Sequence, residues 1–252
     1  MEITLASVLL LSGTGFLAGM INTLAGGGSN LTIPALMMLG LPADLANGTN
    51  RVAVLMQCLV GVRGFDKHNS LDRPAVWPIL VPTLLGGLLG ALAAALLPNL
   101  YLKPVLLITI LTMATIILLR PDIMAPPPGT PALSPRDNKL AWWGLFAAGV
   151  YGGFVQAGVG FILLAALAGG LRYDLVRANA LKMTCALAFT VVAMVVFIAF
   201  DQVLWVPGLL VATGSMSGAY LAVKFAIKAS PATIKWVLFI MTLFAVAGGF
   251  FL

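Results

Sequence analysis

Two glycine-rich segments, Ala25-Gly26-Gly27-Gly28-Ser29-Asn30 and Tyr151-Gly152-Gly153-Phe154-Val155-Gln156-Ala157-Gly158, interrupt long apolar stretches at the same place in each half of this 252-residue chain. A backbone that leaves its helix at membrane depth exposes N–H and C=O groups with no water to take them. It is tolerated only where protein or a watery cavity supplies partners. Matched breaks in two halves therefore point to a binding site near the bilayer midplane, lined by the ends of broken helices.

That the surroundings are hydrocarbon follows from composition. Hydrophobic residues make up 61% of the chain, charged residues 9%, and the mean hydropathy is +1.06. One soluble core of this length cannot bury so much apolar surface. Apolar runs at 4–24, 44–62, 74–97, 103–119, 139–155, 178–200, 203–223 and 233–252 each approach the roughly 20 residues that a spanning helix needs. Two shorter runs, 29–40 and 158–170, directly follow the glycine breaks and are too short to span alone. No basic region precedes the first run, only Glu2, so a cleaved signal peptide is not expected. The net charge of +6 is spread between apolar runs with no polybasic or aromatic-rich surface, which argues against nucleic acid and for a topological role.

Shifting the first half by 130 positions places Gly19 on Gly149, Gly28 on Gly158, Gly40-Leu41 on Gly170-Leu171 and Asp44-Leu45 on Asp174-Leu175. The chain therefore reads as a first transmembrane repeat at 1–120, a proline-rich cytoplasmic linker at 121–138 and a second repeat at 139–252. The linker carries five prolines between 126 and 135, too many for a helix. Lys and Arg decide how the broken segments cross. If 4–40 and 139–170 each enter and return to the same side, twelve of the fourteen basic residues share one side, leaving Arg51 and Lys103 opposite. That side is expected to be cytoplasmic, with both termini outside. Each repeat is then a broken-helix hairpin followed by three transmembrane helices. Three is odd, so the second repeat is inverted, and the fold class is an all-α polytopic membrane protein in which the hairpin tips meet near the midplane.

The first break is surrounded by Asn22, Thr23, Ser29, Asn30 and Thr32, which are costly in hydrocarbon unless they face a cavity or partner. The amides of Gly26, Gly27 and Gly28, with a short helix starting at Ser29, suit an anion. Close packing of glycine-lined helices is the plainer alternative for this break, and is the role expected of Gly86/Gly90 and Gly214/Gly218. The second break offers Tyr151 and Gln156. A polar cluster follows each: Asp44, Asn47, Thr49, Asn50 and Arg51 in one half, Asp174, Arg177, Asn179 and Lys182 in the other. Asp44 and Asp174 read as helix N-caps. Arg51 and Lys182 either snorkel to opposite surfaces or draw an anion to opposite mouths.

The candidate substrate-binding set is Asn22, Gly26, Gly27, Gly28, Ser29, Asn30, Asn50, Arg51, Gln156, Asn179 and Lys182. The hydroxyls of Thr213, Ser215 and Ser217 either line the cavity or bond back to their own helix. All eight carboxylates fall at predicted ends or loops, so no proton-relay carboxylate is seen at midplane. No catalytic acid–base pair or metal cluster can be assembled, so no enzyme activity, metal or cofactor is expected. Cys58 and Cys185 are expected to be packing residues. The coupling ion is open between H⁺, Na⁺ and none. Oligomeric state is also open, a homo-oligomer being compatible with the glycine faces. A passive anion channel and a structural membrane protein are the alternatives to a carrier.

The motifs Gly15 to Gly19, AGGGSNLTIPALMMLGLP at 25–42, ANGTNR at 46–51 and GVYGGFVQAGVGF at 149–161 resemble those of the TauE/SafE sulfite-exporter-like permeases. Pro34 and Pro42 have no counterparts in the second half, where Leu164 and Arg172 stand. The resemblance spans essentially the whole chain. It implies a multi-pass permease of a bacterial inner membrane that moves sulfite, an organosulfonate or a short carboxylate, often outward.

Overall fold

The computed structural model describes residues 4–119, 126, 130–136, 138–229 and 233. Half of the linker at 121–138 and nearly all of the apolar run at 233–252 lie outside these, as do Arg120 and Lys235 of the sidedness argument. The described residues form helices and no strand. In chain order they are α1 (Leu5–Leu24), α2 (Ser29–Met38), α3 (Ala43–Lys67), α4 (Arg73–Leu96), α5 (Asn99–Leu119), α6 (Lys139–Phe154), α7 (Val159–Leu164, continued by a π-helical stretch over Ala165–Gly170), α8 (Leu175–Ala199) and α9 (Trp205–Lys228).

Local sequence accounts for several of the boundaries. Thr4 and Ser7 form a reciprocal capping box at the start of α1. Asn138 caps α6 by accepting the Ala141 N–H, and Asp174 caps α8 by accepting the N–H groups of Val176 and Arg177. Asp174 thus has the expected role, and Asp44 does not. Pro42 occupies the N-cap position of α3, and Asp44 sits inside the first turn, where its carboxylate accepts the Leu45 N–H at 2.7 Å. The proline ring holds φ at −64° two residues earlier, where ψ is an extended 161°, and this moves the helix start ahead of the aspartate.

Helices α1, α4, α8 and α9 are long and apolar enough to cross a membrane. At 1.5 Å per residue a helix of 24 residues measures about 36 Å, enough for a hydrocarbon core of about 30 Å. Their outward faces carry bare apolar side chains such as Trp77, Leu85, Leu89 and Val195. Helix α3 is as long but carries Asn47, Thr49, Asn50 and Arg51, all 1% exposed or less. It tolerates them because protein surrounds it: α3 packs on α8 and α9, with α5 and α2 also against it.

The closest crossings join α1 to α9 and α4 to α6. Glycine makes both. A Cβ at Gly15 or Gly19 would strike the α9 backbone at Val211 or Ser215, and one at Gly214 or Gly218 would strike α1 at Ser12 or Phe16. In the second crossing Gly86 and Gly90 lie against Phe146 and Val150, while Gly149 and Gly153 lie against Thr83 and Gly87. Gly86/Gly90 and Gly214/Gly218 are therefore packing faces, since only a hydrogen in place of Cβ lets backbones approach this closely.

Candidate functional site

The first break begins where α1 runs out at Leu24. Gly26 turns away with φ +103°, its N–H bonded to the Ile21 carbonyl at 2.9 Å. The Gly28 N–H donates to Asn22 Oδ1 at 3.4 Å, and α2 starts at Ser29. In the second break Gln156 and Gly158 take φ +68° and +76°. Positive φ is a strained choice for glutamine, and such residues persist only where the surroundings hold them. Here the Tyr151 hydroxyl donates to the Ala157 carbonyl, and Gln156 Oε1 accepts from the Arg51 guanidinium and from Thr190 Oγ1.

The two breaks touch. The Gly160 N–H donates to the Gly26 carbonyl at 3.3 Å, and a Cβ on either glycine would collide with the backbone of the other. Two of the three amides expected to cradle an anion are therefore engaged within the chain, Gly26 with Ile21 and Gly28 with Asn22. Gly28 also lies against the Ala18 backbone. In this conformation close packing explains Gly26 and Gly28.

Arg51 and Lys182 are the buried charged residues among those described, at 0% and 1% exposure. This corrects their expected place at the mouths of a pathway. Arg51 reaches from α3 to the end of α6, where the last carbonyls of a helix lack partners. Its guanidinium donates to the carbonyl oxygens of Gly152 at 2.5 Å, Gly153 at 2.8 Å and Phe154 at 3.3 Å, to Gln156 Oε1, and more distantly to Asn47 Oδ1. Asn47 Nδ2 adds a bond to the Phe154 carbonyl at 2.8 Å, and the Phe197 ring lies 5.3 Å from the guanidinium carbon. A cation at a helix C-terminus also meets the negative end of the dipole.

Lys182 is the counterpart on α8. Its ammonium donates to the Thr23 carbonyl at the end of α1 at 2.9 Å and to Asn179 Oδ1 at 2.6 Å. Each half thus sends a cation, steadied by an asparagine three or four residues earlier, to the broken helix end of the other half. No Asp or Glu is buried among the described residues, so two cations lie inside without a carboxylate.

Between the breaks is a small cleft, with room in this conformation for about one water-sized group. Asn22, Gln156 and Lys182 supply its polar wall, Gly26 and Gly160 the junction of the breaks, and Cys58, Val159, Leu163, Met183 and Ala186 the rest. Of the expected set, Asn22, Gly26, Gln156 and Lys182 are brought together here, with Asn179 and Arg51 behind them on Lys182 and Gln156. Ser29, Asn50 and Thr32 make a separate chain, Asn50 Nδ2 donating to Ser29 Oγ at 3.0 Å and Thr32 Oγ1 to Asn50 Oδ1 at 2.6 Å. Gly27, Gly28 and Asn30 do not line the cleft. Asn30 is 1% exposed and neither end of its amide has a partner.

Sequence reasoning overlooked Thr190 and Gln57, and it named Cys58 only as a packing residue. Thr190 orients Gln156, Cys58 faces the cleft, and Gln57 is buried with its Nε2 unpartnered. A polar residue in the apolar middle of a span was the available signal for Gln57 and Thr190. Both cysteines are free and buried, as expected of packing residues. Thr213, Ser215 and Ser217 donate to the carbonyls of Leu210, Val211 and Thr213, so the back-bonding alternative holds for all three. No metal-binding cluster of His, Cys, Asp and Glu occurs among the described residues.

A family model described as "Sulfite exporter TauE/SafE" matches residues 11–248. A probable membrane transporter protein of Haemophilus influenzae is 29% identical over 249 residues, covering 96% of this chain and 94% of its own length. A probable membrane transporter protein ORF9 of a Sinorhizobium species is 27% identical over 228 residues, covering 90% and 86%. No solved structure matches the chain significantly.

Proposed function

The chain belongs to the sulfite exporter TauE/SafE family of membrane transporters, and from that premise we propose that it is a permease for a small oxyanion bound between the two helix breaks. The observation that carries this reading is the pair of buried cations with no buried carboxylate among the described residues, one of them lining the cleft. Burying a charge is expensive unless it is paired or hydrogen-bonded. The neutral partners of Lys182 satisfy two of its donors and supply no full negative charge to balance it. An anion entering the cleft gains what those partners cannot supply.

In this reading the repeats 1–120 and 139–252 are inverted about the 121–138 linker, and each hairpin tip contributes to one site. Supporting it, the elements exchange partners in pairs: α1 packs on α9 as α6 packs on α4, and α3 on α9 as α8 on α4. Alternating access is then a rocking of one repeat's broken helix against the other's span, across the glycine crossings. The cargo is sulfite, an organosulfonate or a short carboxylate, moved outward across a bacterial inner membrane with the basic loops inside and both termini outside. Asn22, Gln156 and Lys182 bind it. Asn179 and Arg51 hold Lys182 and Gln156. The Gly27 amide, Ser29, Asn30 and Asn50 face the anion in a state in which α2 has shifted.

Counterflow of labelled sulfite in liposomes tests this reading. Saturable uptake, accelerated by unlabelled sulfite or a sulfonate inside and lost in Lys182→Met protein that elutes as folded, is the expected result. Unsaturable flux without counterflow makes the protein a channel. No flux of any small anion defeats the proposal.

A further inference from the structure

The polar wall of the cleft offers donors and no committed acceptor. Arg51 has only donors, so the Gln156 amide must turn its oxygen toward it, and Thr190 Oγ1 donates to that same oxygen at 3.3 Å. The Nε2 group is left for the cleft that Gln156 lines. The Gly28 N–H is likewise only a donor, so Asn22 presents Oδ1 to it and keeps Nδ2 free. Lys182 spends two donors on Thr23 and Asn179, and as an ammonium it has a third. No side chain that lines the cleft carries a carboxylate.

We propose that this donor-only wall makes the site selective for oxyanions that bear no O–H, such as sulfite, sulfate or a sulfonate, over hydrogenphosphate and hydrogensulfite. This rests on the transport reading and deepens it by naming the protonation class of the cargo. A fully ionised oxyanion accepts at every oxygen and meets Lys182, Gln156 and Asn22 without a mismatch. An anion with a hydroxyl brings a donor that the wall cannot receive, and a buried donor without an acceptor is penalised more than a made hydrogen bond is rewarded. Arg51 is a positioning residue here. It does not line the cleft, and it sets which end of Gln156 the substrate meets.

The test uses the full chain purified in detergent, with thermal stability titrated at constant ionic strength and at a pH where phosphate is hydrogenphosphate. Sodium sulfate and hydrogenphosphate form the central pair, equal in charge and nearly equal in size, with methanesulfonate as a third probe. Sulfate and methanesulfonate are expected to reach half-effect at concentrations about tenfold or more below hydrogenphosphate. Asn22→Asp places an acceptor where Nδ2 stands while keeping an oxygen for Gly28, and is expected to shrink that ratio or reverse it. Hydrogenphosphate equal to or better than sulfate in the unaltered protein overturns the selectivity and leaves the anion carrier standing. That order would mean that Lys182 turns a neutral amine's lone pair to the cleft. No stabilisation by any of the three overturns the selectivity, and no stabilisation by sulfite or acetate either overturns the anion site as well. The unaltered protein decides the question even if the Asn22 variant does not fold.

Discussion

Replacing Arg51 by Met separates a clamp from a binding residue. In the native arrangement the carbonyls of Gly152 and Gly153, at the unsatisfied end of α6, have Arg51 as their hydrogen-bond partner, whereas Phe154 keeps Asn47 and Gln156 keeps Thr190. Methionine fills much of the volume and strands those two carbonyls in the interior. At about 1–3 kcal/mol per buried unsatisfied group the loss is about 2–6 kcal/mol. Removing a buried cation returns its desolvation cost, which brings the expectation to the lower end, about 2–3 kcal/mol. For a chain of this length that is a fall of about 4–12 °C in apparent melting temperature. Arg51→Lys keeps the charge and three donors, enough for Gly152, Gly153 and Gln156, and should lose less than half as much. Lys182→Met strands two acceptors, the helix-end carbonyl of Thr23 and Asn179 Oδ1, so it should destabilise about as much as Arg51→Met while abolishing stabilisation by anions. The assay is thermal unfolding of the purified variants by intrinsic fluorescence, with and without sulfite. An Arg51→Met protein within about 1 °C of the unaltered one would refute the account of Arg51 as the clamp on α6.

Three further outcomes are expected. Gly26→Ala or Gly160→Ala forces the touching backbones apart, and Gly26 also has φ +103°, so either should lower expression and melting temperature by more than Gly13→Ala, whose added Cβ meets nothing within 4 Å; equal effects would show that the breaks do not touch. Asn30→Ala removes an amide with no partner, so unfolding should shift by less than about 1 kcal/mol, while counterflow should slow if α2 swings the amide onto the anion; unchanged counterflow removes Asn30 from the site. In a Cys185→Ser background, Cys58 should react slowly with a small anionic thiosulfonate and more slowly still with saturating sulfite, followed by intact-mass spectrometry; labelling indifferent to sulfite would place the anion elsewhere.

Much of the architecture was legible because hydrocarbon allows few solutions. Apolar runs of the right length became α1, α3, α4, α8 and α9, and the breaks at Gly26 and Gly158 fell where glycine relieves the backbone. Asp44 was misjudged as a cap because the preceding proline set the helix start earlier. The cations were misplaced for a more general reason. A charge close to a predicted helix start reads as a surface residue, and only an unpaired helix end from the other half of the chain makes its burial tolerable.

From the order of residues alone came the membrane setting, the two breaks and an inventory of amides, cations and missing carboxylates, since each depends on local composition and period. The choice among those candidates belonged to the tertiary structure. It alone brought Gly26 against Gly160, sent Arg51 and Lys182 across to the helix ends of the opposite half, and set Asn22 and Gln156, their amide oxygens engaged elsewhere, in the wall of one cleft. Those partners lie up to 159 residues apart, and no local pattern records which orphaned carbonyl a distant cation will find.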